Sequence, residues 1–187
     1  MIGLLLENLK QQGLEENTIV LFTTDHGEMA GSHKLIAKTT FYEESSKIPV
    51  IIRYPKEIKQ STTNSEALVS TIDIMPTLLD LAGVKIPQGI DGRSFKNQIL
   101  NPKVSTNEFD IVFSQNQFGR MVRYDEFKYV RSVVYGITYE ILYDIDNDPA
   151  ESINLLDDPK FKNQLSKGRK LLNDWLENEG TNLIAER

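Results

Sequence analysis

The chain has 187 residues, 40% hydrophobic and 26% charged, enough to bury roughly 70% of its unfolded surface as a globular protein. Its 27 acidic and 21 basic residues give a net charge of −6 with no Lys/Arg run, which argues against a nucleic-acid partner. The absence of cysteine excludes disulfides, thiolate metal sites and cysteine nucleophiles. No apolar stretch reaches the roughly 18 residues of a membrane span.

Ile2, Leu5, Leu6 and Leu9 recur at helical spacing and Gly13 follows as a stop, so residues 2–12 are expected to form an amphipathic helix. This start lacks the basic region and small-residue cleavage site of a signal peptide. "TIVLFTT" (18–24) is apolar without alternation, the pattern of a strand covered on both faces in a parallel sheet. Asp25, His26 and Gly27 would then lie just past the carboxyl end of a central strand, where open α/β sheets hold ligands. Both histidines of the chain fall in this stretch, "TTDHGEMAGSHKLIAK" (23–38).

"IPVIIRY" (48–54) reads as a second buried strand, with Pro49 confined to its beginning. "STIDIMPTLLDLAGV" predicts a helix of about ten residues, with Thr71 or Asp73 as cap, Pro76 in the first turn and Gly83 as terminator. The polar stretch at 101–108 is the expected boundary. Beyond it, "FDIVFSQ", "RMVRYD", "FKYVRSVVY" and "TYEILYD" are short strands with turn breaks, which implies an antiparallel meander. A last helix opens with Asp158 as cap and Pro159 at its first position, and carries Phe161, Leu165, Leu172, Trp175 and Leu176 on one stripe.

Asp25 and His26 supply a hard oxygen and an imidazole nitrogen on adjacent residues, and Gly27 would let the backbone turn so that both face one centre. Two donors do not complete a metal site. "DIDNDPAESINL" places Asp144, Asp146 and Asp148 at calcium-loop positions one, three and five, but Pro149 replaces the turn glycine and Leu155 the closing acid, so an acidic turn is expected. Glu43 and Glu44 are read as a solvated helix start, with a supporting role beside Lys38 or His26 as the alternative.

The succession "NTIVLFTTDHGEMAGSHKLIAKTTFYEESSKIPVIIRYP", "VSTIDIMPTLLDLAGVKIP", "DGRSF", "RMVRYDEFKYV" and "LYDIDNDPAESINLL" resembles the carboxyl-terminal half of the sulfatase family, within the alkaline-phosphatase-like superfamily. The resemblance implies an α/β fold: the end of an alkaline-phosphatase-like sheet domain over 1–104, then a small antiparallel sheet packed with a C-terminal helix over 105–187. It implies that Asp25 and His26 ligate a divalent metal, usually Ca2+ with Mg2+ or Mn2+ as alternatives. It further implies that Lys38 contacts a sulfate oxygen and that His33 faces the substrate. A metal and an ammonium there would stabilise charge on the sulfuryl and ester oxygens.

One departure is Lys34, which stands where the family commonly has glycine and would strain the loop if a positive φ is required. The family's nucleophile, a formylglycine made from Cys or Ser within C/S-x-P/A-x-R, has no counterpart here, so the chain is expected to be an inactive fragment with its formylglycine upstream. The implied partner is a sulfated carbohydrate or small organic sulfate, with no nucleic acid and no membrane. Self-association is expected through a core face left uncovered. The competing readings are a phosphonate or phosphate ester hydrolase of the same superfamily and a non-catalytic sugar-binding module.

Overall fold

The computed structural model describes residues 1–58, 62–102 and 109–178. The chain divides into two compact units, Met1–Asp25 with Ile48–Asn107, and His26–Lys47 with Glu108–Arg187. The linker expected at 101–108 lies, from residue 103 on, outside the described residues.

In the first unit, α1 (Ile2–Gln11) forms as its spacing predicts and ends before Gly13, whose φ of 66° is the left-handed stop that glycine supplies most readily. β1 (Val20–Phe22) pairs with β2 (Ile51–Arg53). The pairing is antiparallel, unlike the parallel sheet expected for β1. A continuous apolar run reports what covers a strand's two faces, not which way its neighbour runs. Coverage is also incomplete: Phe22 and Ile51 are exposed, and α1 buries none of its residues.

α3 (Ile74–Leu81) is preceded by a tight turn capped by Ser70, one residue before the earlier of the two predicted caps. The Ser70 side chain and the Asp73 carboxylate form a capping box, and Asp73 also accepts from the Arg93 amide at 2.9 Å. One buried carboxylate thus ties the helix start to the "DGRSF" segment, which runs on into α4 (Lys96–Leu100).

The second unit is built on the meander predicted from the sequence: β3 (Ile111–Gln115), β4 (Gly119–Tyr124), β5 (Phe127–Val134) and β6 (Ile137–Asp144), all antiparallel in that order. α5 (Lys162–Asn178) lies on the sheet, with Leu165, Leu172 and Leu176 packed on Val122, Tyr124, Phe127, Tyr129 and Leu142. Asp158 caps its first turn by accepting from the Lys160 amide at 2.9 Å, and Pro159 occupies the predicted place. Gly168 permits the close approach, because a Cβ there would sit 2.6 Å from the Tyr124 hydroxyl. After β6 the acidic stretch is a turn held by its own side chains. Asp144 accepts from Asn147, and Asp148 from Ser152 and Ile153.

Candidate functional site

The division between units falls between Asp25 and His26, so each unit carries one of the two expected metal donors. In the first unit Asp25 is exposed and accepts from the Thr24 hydroxyl at 3.2 Å.

In the second unit the segment 26–40 is a compact loop closed by its own backbone. Met29 donates to Ala37 and Gly31 to Leu35, each at 2.9 Å. Ala30, His33, Lys34, Ala37 and Thr39 all have positive φ, a concentration of strained backbone of the kind found at functional sites. Lys34 is one of them, at φ 60°, so the loop does take the left-handed turn for which the family commonly uses glycine.

The loop brings His26 and Lys38 together, with Lys38 Nζ 2.5 Å from His26 Nε2. The other ring nitrogen, Nδ1, is 2.7 Å from the Gly27 carbonyl. A carbonyl only accepts, so Nδ1 carries the proton and the Nε2 lone pair faces the Lys38 ammonium. The His26 ring is therefore held in one orientation, between a carbonyl and a cation.

Gly27 is needed for a reason other than the sharp turn inferred from the sequence. A Cβ there would lie 1.9 Å from the Glu44 carbonyl oxygen, and the Gly27 amide donates to Ser45 at 2.9 Å. The loop start is pressed against α2 (Glu43–Ser46) more tightly than any other residue allows.

His33 is anchored separately. Its ring stacks on Tyr42 at 3.7 Å between centroids, and its Nε2 lies 4.0 Å from the Glu44 carboxylate. Glu44 also accepts from the Ser32 hydroxyl, a bond that, with burial opposing it, holds the carboxyl below its usual range.

Glu43 is not the solvated residue the sequence suggested. Its carboxylate lies 2.6 Å from the buried Lys128 ammonium. Burial alone would raise its pKa, but Lys128 and Lys47 outweigh that and leave it lowered. Nothing in the spacing of Glu43 and Lys128, 85 positions apart in the chain, could have revealed the pair. A cavity of about 200 Å³ begins one residue past Lys38, with Thr39 at its edge and Phe41, Tyr42, Phe118 and Tyr143 as aromatic walls.

Among the described residues, no group of three or more His, Asp or Glu side chains is set to hold a metal ion. No helix among them is long and apolar enough to cross a membrane.

Residues 31–178 match the family model described as N-sulphoglucosamine sulphohydrolase, C-terminal. The chain is 34% identical over 171 residues to an ulvan-active sulfatase of Formosa agariphila, covering 86% of this chain and 33% of that one. Among solved structures it is similar to one in complex with its substrate D-glucosamine-2-N,6-O-disulfate, at TM-score 0.85 and 30% identity over 94% of this chain and 37% of the other. It is also similar to the phosphonate monoester hydrolase of Agrobacterium radiobacter, at TM-score 0.77 and 26% identity over 91% of this chain and 37% of the other. The chain spans about a third of the length of the curated relatives it matches.

Proposed function

We propose, from the premise that this chain belongs to the N-sulphoglucosamine sulphohydrolase C-terminal family and so to the sulfatases, that it forms the carboxyl-terminal part of an enzyme hydrolysing sulfate esters. The observation that carries this reading is the Lys38 ammonium 2.5 Å from the ordered imidazole of His26, within a strained loop beside an aromatic-walled cavity. In it Asp25 and His26 are two ligands of a divalent cation, calcium or in its place magnesium or manganese.

The fit of the donor set is partial. Carboxylate and imidazole suit such an ion, and the Gly27 carbonyl leaves the lone pair on Nε2, as the outer partner of a ligating histidine does, but that lone pair faces Lys38 at 2.5 Å, so ligation would require the ammonium to turn away. Calcium takes six to eight oxygens, so the remaining donors belong outside the described residues. Bound there, the cation would act as a Lewis acid on the sulfuryl oxygens.

Lys38 binds a sulfate oxygen and stabilises charge developing on the ester oxygen. His33, whose Nε2 lies 4.0 Å from the Glu44 carboxylate, binds substrate or transfers a proton. The cavity walled by Phe41, Tyr42, Phe118 and Tyr143 offers the organic part of a sulfated sugar or small organic sulfate an apolar face. The nucleophile, a formylglycine, lies in sequence beyond these residues, and the 187-residue chain alone has no turnover.

The likeness to a phosphonate monoester hydrolase favours one second reading, phosphoryl in place of sulfuryl transfer. Rates on a sulfate ester and on a phosphonate monoester carrying the same aryl group, measured with the enzyme that contains this chain, separate the two. The proposal expects the sulfate to be the faster substrate. A faster phosphonate would overturn it.

A further inference from the structure

We propose that Lys128 is a positioning residue for the loop carrying His26, His33 and Lys38, acting as a buried peg beneath residues 41–45. The inference rests on the reading of that loop as the sulfate-recognising site.

Lys128 projects from β5 with 1% of its side chain exposed. Its ammonium has three N–H donors and three partners: the Phe41 carbonyl at 2.8 Å, Glu43 at 2.6 Å and Glu151 at 2.8 Å. The other Glu151 oxygen accepts from the Glu43 amide at 2.6 Å, and Glu151 is itself held at φ 48°. Two of the three partners, and the second Glu151 bond, act on the short segment that begins at Phe41.

That segment touches His33 directly and reaches His26 through Gly27. Tyr42 stacks on His33, Glu44 faces Ser32 and His33, and the Ser45 carbonyl accepts from Gly27, whose own carbonyl accepts from His26 Nδ1. Lys128 is therefore two hydrogen bonds and one short helix away from the atom that sets the His26 tautomer.

Stability does not explain the peg. Removing charges from water costs about as much as their attraction returns, and apolar replacement of a whole buried ion cluster is often neutral. An ammonium that donates to the Phe41 carbonyl and sits between two carboxylates instead fixes where a backbone lies, which an apolar side chain of equal volume does not.

The test uses the 187-residue chain, whose only imidazoles are His26 and His33. Nitrogen-15 NMR of both rings is recorded for the parent, for Lys128→Met combined with Glu151→Gln, and for Glu43→Gln. The proposal expects the double variant to keep the dispersed amide spectrum of the sheet. Its His26 Nδ1 proton should exchange with water at least about tenfold faster, and the His33 ring protons should lose the upfield shift imposed by Tyr42. Glu43→Gln, which keeps the Lys128–Glu151 pair, should move both signals in the same direction by less.

If a folded double variant leaves both imidazoles as in the parent, the proposal fails. If that variant does not fold, Glu43→Gln decides alone, and unchanged imidazoles in it overturn the proposal. No turnover enters the readout, so an enzyme indifferent to His26 and Lys38 would overturn the functional reading and leave this one standing.

Discussion

Lys34 separates backbone strain from side-chain chemistry within the loop. Its φ of 60° places an L side chain in the left-handed region, at about 1–2 kcal/mol relative to glycine. Glycine would loosen the unfolded chain by about 0.5–1 kcal/mol. The difference decides the sign: Lys34→Gly should stabilise the protein by up to about 1 kcal/mol in a urea titration, and a loss would show that the lysine side chain makes a compensating contact. The residues of this loop were legible from the sequence as types and spacing. Their partners were not, because Tyr42, Glu44 and Ser45 meet it through a fold-dependent return of the chain. Gly27 shows the limit most clearly: its presence was legible, but its cause is the Glu44 carbonyl, 17 residues on.

At the scale of elements, α5 and the meander show why pattern predicted structure so well in the later part of the chain. Each strand alternates short apolar runs with turn residues, and the helix bears its cap and stripe in sequence, so both follow from local signals. What the pattern could not give was the closeness of the packing. Gly168→Ala would add a methyl 2.6 Å from the Tyr124 hydroxyl and 2.8 Å from Tyr129 Cβ. Overpacking of this kind costs about 1–3 kcal/mol, against a helix-propensity gain of about 1 kcal/mol. A net loss is therefore expected in thermal or denaturant unfolding, and a gain would mean that the helix can shift outward freely.

The same helix carries a pH signature. Arg169 bonds both oxygens of Glu140, at 2.9 and 2.5 Å, and holds its carboxyl below the ordinary value of 4.5. The folded value lies below the unfolded one, so the stability contributed is full above about pH 4.5 and is lost as pH falls through the lower folded value. Arg169→Ala should therefore reduce stability near neutral pH and flatten its decline below pH 4.5. A parallel curve, merely displaced, would contradict the assignment.

For the whole molecule, the weakest sequence expectation concerned burial in the first unit. Ile2 and Leu5 belong to the expected apolar stripe of a helix and Phe22 and Ile51 to expected strand interiors, yet all four are exposed, as is Leu4. The sequence encodes an apolar face, and among the described residues nothing covers it. Such a face promotes association. The 187-residue chain alone should show a concentration-dependent increase in sedimentation coefficient that Leu4→Lys with Leu5→Lys reduces, and a strictly monomeric parent would refute this.

The proposed function assigns Lys38 to sulfate-ester cleavage, and that role is its central claim. The most direct measurement is kcat on an aryl sulfate for the enzyme containing this chain, with Lys38→Ala compared to the parent. Loss of a preorganised charge that acts on the transition state should lower kcat by about 10²–10³-fold. A kcat unchanged within twofold or so, in a folded variant, would contradict the account.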